Sequence, residues 1–260
     1  MLYHFIKELY AYREMLVSMV KRDLRGRYKG SMLGFLWTFI NPLLQLIVYT
    51  LVFSNFMRMG IENYQLFLFV TLIPWMFFSN SILSSTTSIL YNASLITKIF
   101  FPREIMPISV VTGNFINMLY CFVVVIAVVL FYHQNLNFIC WLLLPIIAII
   151  EYILTLGIAF IVSALTVYFR DLEHVMGISL LAWQFLTPVM YPETLVPNDY
   201  IKIFMLNPMT PITIAYRDIL YYGAFPNWQT IAYALLCSIS IFFVGLLIFE
   251  KMKRNFAEEL

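Results

Sequence analysis

Glu151 is the residue whose type and setting first suggest chemistry. It follows 46 residues, Ile105 to Ile150, that contain no Asp, Glu, Lys or Arg. An ionised carboxylate deep in a bilayer costs about 3 kcal/mol on insertion scales, so such a group lines a path, pairs, or stays protonated. Two readings of Glu151 stay open: a residue of a transport path, or a carboxyl held by a local structural hydrogen bond. Catalysis would need a nucleophile and a base together, and Glu151 stands nearly alone. Cys121, Cys140 and Cys237 lie in apolar runs without paired spacing and read as packing thiols. His4, His133 and His174 are far apart and form no metal-ligand spacing. The chain has no GxxxxGK[ST] loop, no HExxH and no GxSxG. These features argue against an enzyme, and the expectation is no catalytic residue, no metal and no cofactor in this chain. They also exclude ATP hydrolysis through a phosphate loop. A single buried acid and no clear internal repeat fit an ion-coupled transporter poorly. Any pumping therefore draws on a separate ATPase.

The elements that position these residues follow from composition. Of 260 residues, 62% are hydrophobic and 12% charged, about half the charge of a typical soluble domain. The chain is read as an all-α integral membrane protein. Its organising stretch is Lys21 to Val48, basic at first and then uncharged: 28 residues between Lys29 and Arg58 carry no charge, enough for a helix to cross a bilayer core. Six spans are expected, at about 31–56, 65–90, 108–132, 138–169, 175–191 and 228–249. Pro42 should kink the first, and Pro145 should separate a turn from the crossing in the fourth. Span 2 carries Ser79, Ser81, Ser84, Ser85, Thr86, Thr87 and Ser88, which either bond back to their own helix or line a polar path. Gly26, Gly30 and Gly34 are four apart, and a helix would place them on one face for close contact with another helix.

Residues 1–29 repeat apolar groups at helical spacing (Leu2, Phe5, Ile6, Leu9, Tyr12, Leu16, Met19, Val20). This is an amphipathic interfacial helix, either an anchor on lipid or a lever against a cytoplasmic partner. Residues 30–260 form the transmembrane domain. The loop from Asn92 to Pro107 exposes Ile99, Phe100 and Phe101, an apolar knob suited to docking. Pro192 to Pro226 holds five prolines and reads as short re-entrant helices before the last span. Thirteen of the sixteen Lys and Arg residues fall in segments assigned to the inner side. Arg58, Lys202 and Arg217 fall outside. That bias predicts both termini in the cytoplasm, in a cell (inner or plasma) membrane.

Four blocks carry a resemblance: RDLRGRYKGSMLGFLWTFINPLLQ (Arg22 to Gln45), KIFFPREIMP (Lys98 to Pro107), FRDLEHVMGISLLAWQFLTPVMYP (Phe169 to Pro192) and NPMTPI (Asn207 to Ile212). Together, and in this order, they resemble the permease subunit of ABC-2 type polysaccharide exporters, which move O-antigens, teichoic acids, capsules and related glycans. The resemblance covers nearly the whole chain. It implies six spans, a homodimer, and two copies of a cytoplasmic ABC ATPase that binds the ATP and Mg. It also implies a lipid-linked polysaccharide as cargo, and no nucleic acid. By position it assigns ATPase coupling to residues 1–29 and about Asn92 to Pro102, with Ile96, Lys98, Phe100, Phe101, Pro102 and Arg103 as candidates. It assigns an outer gate to about Pro197 to Tyr222, and gating or interface roles to Arg22, Arg25, Arg27, Tyr28, Gly30 and Gly34. A pore between subunits would take aromatic rings from spans 1 and 5: Trp37, Phe39, Tyr49, Trp183, Phe185 and Tyr191.

Aromatic rings stack on the C–H faces of sugars, and Tyr or Trp add a hydrogen-bonding edge. The same rings also serve equally well for packing or for facing lipid. Two alternatives remain beside glycan export: an ABC-2 exporter of a small lipid or drug, and a non-transporting scaffold for a glycan-assembly complex.

Overall fold

The computed structural model describes residues 2–28, 30–132 and 136–259; residues 2–4, 27, 28, 257 and 258 are described by their backbone alone. All regular structure among them is helical. Five helical stretches are long and apolar enough to cross a membrane: Gly34–Phe56, Tyr64–Thr86, Ile105–Tyr132, Phe138–Tyr168 and Trp228–Asn255. The expected fifth span differs. Its helix, Leu172–Phe185, has only 14 residues and ends in turns that run through residues 186–191. Pro188 lies in those turns, and its ring fixes the backbone and supplies no N–H to a helix.

The N-terminal segment is two helices, α1 (Leu2–Ala11) and α2 (Arg13–Tyr28), joined at Tyr12. Phe5, Leu9, Tyr12, Leu16 and Met19 pack against the core, while Ile6, Tyr10 and Val17 stay exposed. The amphipathic pattern thus docks one face on the bundle, with Phe5 edge-on to Phe160 at 6.4 Å. The glycine spacing does not make a helical strip. Gly30 and Gly34 have φ of +83° and +50°, in the turn that carries the chain from α2 into a 3-10 turn (Gly34–Leu36) and α3 (Trp37–Thr50). Their requirement is left-handed backbone, which glycine adopts without penalty. Pro42 lies inside α3 and cannot bond to the Thr38 carbonyl one turn back. The Cys121 thiol donates to that carbonyl at 3.4 Å. α3 continues as a π-helical segment, Leu51–Phe56.

The centre of the bundle is α4 (Tyr64–Thr86), which packs on α3, α6, α8, α9 and α11. From Leu66 to Phe78 it is apolar on nearly every side, as a helix enclosed all round must be, and Leu66, Phe67, Leu68, Val70 and Leu72 have no exposed surface. Some of its hydroxyls bond to their own helix, Thr86 to the Leu83 carbonyl at 2.6 Å and Ser79 to that of Met76 at 3.4 Å, while those of Ser81 and Ser85 are buried without a hydrogen-bond partner. A 3-10 turn and α5 (Ala93–Lys98) lead to α6 (Ile105–Tyr132). The fourth span is α7 (Phe138–Trp141) and α8 (Leu144–Tyr168), with Pro145 in the first turn of α8, where a missing N–H costs nothing.

The fold continues with α9 (Leu172–Phe185), α10 (Asn198–Leu206), α11 (Met209–Arg217), a π-helical turn (Asp218–Tyr222), α12 (Trp228–Met252) and α13 (Phe256–Glu259). The closest helix pair is α8 with α12. A Cβ on Gly157 would lie 2.6 Å from the Phe242 nitrogen, and one on Gly245 would overlap the Gly157 carbonyl. Small residues at such crossings let backbones touch, which is a main source of helix association inside lipid.

Candidate functional site

Two regions carry the candidate residues: a cluster around residues 92–104 and a wall formed by α3 and α9. In the cluster, α5 ends at Lys98 and the chain becomes extended at Ile99. Ile96 and Phe101 are buried, so they anchor the segment. Phe100 is 94% exposed, and Lys98 and Ile99 are exposed beside it. The loop is therefore held from below and presents one aromatic ring outward.

Three further contacts hold that loop. The Arg22 guanidinium donates to the Asn92 side-chain oxygen at 2.6 Å, tying α2 to the start of α5. Arg103 donates to the Lys253 carbonyl and lies over the Phe256 ring. The Lys253 ammonium bridges Glu104 at 2.5 Å and Glu250 at 2.7 Å. Glu104 is almost wholly enclosed, and burial pushes its carboxyl above the usual range while Lys253 pulls the other way. Pro102, partly exposed, sits between the anchor and the clamp. Beside them is a cavity of about 430 Å³, lined by Glu8, Tyr12, Phe100, Arg103 and Arg254 among others. Arg25 is exposed on α2, and the side chains of Arg27 and Tyr28 lie outside the described residues. Asp23 faces Gly113 so closely that a Cβ there would sit 2.6 Å from its carboxylate, which fixes α2 against α6.

The aromatic candidates divide by setting. Trp37 is partly exposed and its indole donates to the Ser31 hydroxyl at 3.0 Å. Phe39 meets Phe35 edge-on at 5.5 Å, and Phe35 meets Tyr120 at 5.4 Å. The Tyr49 hydroxyl accepts from the Gln184 amide at 3.5 Å, which links α3 to α9. Trp183 is half-buried, edge-on to Phe78 at 5.1 Å, and donates to the Asn207 side chain at 2.9 Å. The Tyr191 hydroxyl donates to the Phe185 carbonyl at 2.7 Å. Phe185 is 54% exposed and is the freest ring of α9. The faces of α3 and α9 also expose Leu43, Leu44, Ile47, Val48, Val175, Ile178 and Leu181.

Sequence reasoning missed two residues. Arg217, counted among the cations of an outer segment, is fully buried. It stacks on Phe67 at 3.9 Å, approaches Glu193 at 3.5 Å, and donates to the carbonyls of Pro188, Val189 and Tyr191. It pins the turn after α9 to α4 and α11. Next to it, burial pushes the Asp218 carboxyl up to about 6, with Glu193 adding to the shift and Arg217 opposing it. Lys253 is the other: its partner Glu104 is 149 residues away, a pairing no local spacing reveals. Glu151 is enclosed and accepts from the Tyr216 hydroxyl at 2.9 Å, which favours the structural reading over the path.

The described residues form a multi-pass helical bundle with an anchored loop at residues 92–104. Comparison with known proteins gives the family. A family model described as ABC-2 type transporter matches residues 14–221, and the chain belongs to that family. It is 36% identical over 259 residues to the O-antigen export system permease protein RfbA of Myxococcus xanthus, covering 98% of both chains. It is 36% identical over 248 residues to the RfbA protein of Klebsiella pneumoniae, covering 95% of each. The polysialic acid transport protein KpsM of Escherichia coli is 23% identical over 242 residues, with 88% of this chain and 90% of KpsM covered.

Proposed function

We propose that this chain is the membrane permease of an ATP-driven exporter that moves a lipid-linked cell-surface polysaccharide out of the cytoplasm. The observation that carries the reading is the end-to-end match to O-antigen export permeases at 36% identity. The physical design supports it. The exposed Phe100 on an anchored loop is a docking knob, and the ATPase that drives the cycle binds there and along α1 and α2. Two copies of the chain face each other through α3 and α9, whose apolar faces are otherwise unpaired within one subunit. The outward rings of that wall, with Phe185 foremost, would offer stacking surface to passing sugars. The ATP and Mg belong to the partner subunits, two per dimer. In this reading α9 with the turn behind it is the fifth of six crossings, α10 and α11 lie in the outer leaflet, and both termini are cytoplasmic.

Reconstitution tests it. Vesicles holding the chain, its ATPase and lipid-linked glycan should show nucleotide-dependent protection or exposure of the glycan. Nucleotide consumption with no movement of glycan would refute the proposal.

A further inference from the structure

The structure assigns Asn207 and Arg217 the role of positioning residues for export. From the two ends of α11 they hold residues 183–191, the C-terminal end of the aromatic wall, as one rigid unit with α11. This inference rests on the proposed export of a glycan and deepens it, because it names what fixes the rings that meet the cargo.

The segment needs donors. α9 ends at Phe185, and Thr187 to Met190 are buried without being helical. Non-helical backbone at membrane depth persists only where the protein itself satisfies it. The Asn207 carboxamide does so at one end: its N–H groups donate to the Leu186 carbonyl at 3.2 Å and the Thr187 hydroxyl at 2.9 Å. Its oxygen accepts the Trp183 indole N–H at 2.9 Å and the Met209 N–H, at the start of α11, at 3.0 Å. All four bonding positions of the carboxamide are therefore in use. Arg217, the last residue of α11, donates to the Pro188 carbonyl and, at 3.4 Å, to those of Val189 and Tyr191. From α4, the Tyr64 hydroxyl donates to the Met190 carbonyl and the Thr71 hydroxyl to that of Val189, at 2.8 Å each. The Thr187 carbonyl takes the Val189 N–H at 2.7 Å. Every carbonyl from Leu186 to Tyr191 is thus engaged.

The geometry fixes a position as well as a fold. Tyr64, Phe67 and Thr71 share one face of α4 at i, i+3 and i+7, and the guanidinium lies flat on Phe67 at 3.9 Å. An apolar residue of the same volume would fill that space and leave the carbonyls bare. Lysine would keep the charge but lacks the planar fork that reaches several acceptors in one fixed arrangement. A buried cation is also a weak device for stability alone, because desolvation offsets much of what its bonds contribute. The first part of α9 has no such ties, and Val175, Ile178 and Leu181 face outward. Residues 183–191 move only with α11, so Trp183, Phe185 and Tyr191 stand at set places, with the Tyr191 hydroxyl closing the turn on the Phe185 carbonyl at 2.7 Å.

The test uses vesicles holding the full chain, its ATPase and lipid-linked glycan, and reads glycan moved per ATP consumed. Loss of folded protein lowers both quantities in proportion and leaves their ratio unchanged, so the ratio separates positioning from stability. ATP consumption without glycan movement in the wild type would remove the export reading and this inference with it. Given movement, Arg217→Lys should keep ATP consumption near the wild-type level and lower the ratio about tenfold, since several bonds to the turn are lost together. Asn207→Ala, which releases Leu186, Thr187 and Trp183, should act likewise. Tyr64→Phe frees only the Met190 carbonyl and keeps the ring; it should lower the ratio about threefold, and it carries the test if the other two variants do not give monodisperse protein. A wild-type ratio in any folded variant of the three would overturn the inference while leaving the export reading intact.

Discussion

Removing the Lys253 ammonium tests the clamp on the loop at Arg103 and Glu104 most directly. Glu104 is 1% exposed and its cation sits 2.5 Å away. In Lys253→Met, one Glu104 oxygen loses its partner, and the other already has none. Breaking a buried pair from one side costs about 3–5 kcal/mol. Lys253 is a quarter exposed, so solvent screening brings the cost below that range, to about 2–3 kcal/mol. The loss has a ceiling, because Glu104 can take up a proton: at pH 7 this costs an ordinary glutamate about 4 kcal/mol.

The pH dependence has a definite sign. A carboxyl whose folded pKa lies above its unfolded value contributes stability that is complete below about pH 4 and is lost as pH rises through the folded pKa. Burial already pushes Glu104 in that direction, and loss of Lys253 pushes it further. The variant's deficit relative to wild type should therefore shrink between pH 7.5 and pH 5. The assay is thermal unfolding of detergent-solubilised protein followed by gel filtration. A drop of about 5–10 °C is expected at pH 7.5, with recovery in Lys253→Met combined with Glu104→Leu. A variant that melts with the wild type at pH 7.5, or whose deficit does not narrow at pH 5, would refute the reasoning.

Other perturbations separate structural from transport roles. Phe100→Asp alters a ring that is 94% exposed, so thermal stability should stay within about 0.5 kcal/mol, while co-purification with the ATPase falls at least tenfold. Gly245→Val drives a side chain into the Gly157 carbonyl and should abolish monodisperse protein on gel filtration, at a cost above about 3 kcal/mol. Trp183→Ala removes the Asn207 hydrogen bond and the Phe78 contact and should cost about 3 kcal/mol in unfolding assays. Phe185→Ala should leave stability unchanged and lower export severalfold, which makes it the cleaner probe of the aromatic wall.

Most of the helices were legible in the sequence because bilayer crossing leaves a long-range signature: charge-free runs bounded by charged turns. The short helices between Pro192 and Pro226 were legible too, since prolines at 192, 197, 208, 211 and 226 forbid one long helix. Other features depend on partners distant in the chain. The glycine series at 26, 30 and 34 has the spacing of a helix face, and only backbone conformation shows that the last two serve a turn. Arg217 was legible only as a charge in an outer segment, because counting charges does not show that three carbonyls and a Phe ring can replace water around a guanidinium. The Glu104–Lys253 pair joins segments far apart, so it appears only once the bundle closes. The exposed Ile99 and Phe100 match the expected apolar knob, but Phe101, expected to be exposed beside them, is buried, because the ring next in the chain turns back to anchor the loop on the bundle.

The contact between Gly157 and Gly245 has a mechanical consequence. Two helices whose main chains touch cannot slide past each other, so α8 and α12 behave as one stiff rod across the membrane. One end of the rod carries Lys253, gripped by the loop at Arg103 and Glu104. Near its other end the Tyr233 hydroxyl donates to the Leu206 carbonyl at 2.8 Å, at the tail of α10. The loop at Arg103 is thus joined to α10 by a route that does not pass through the central helix.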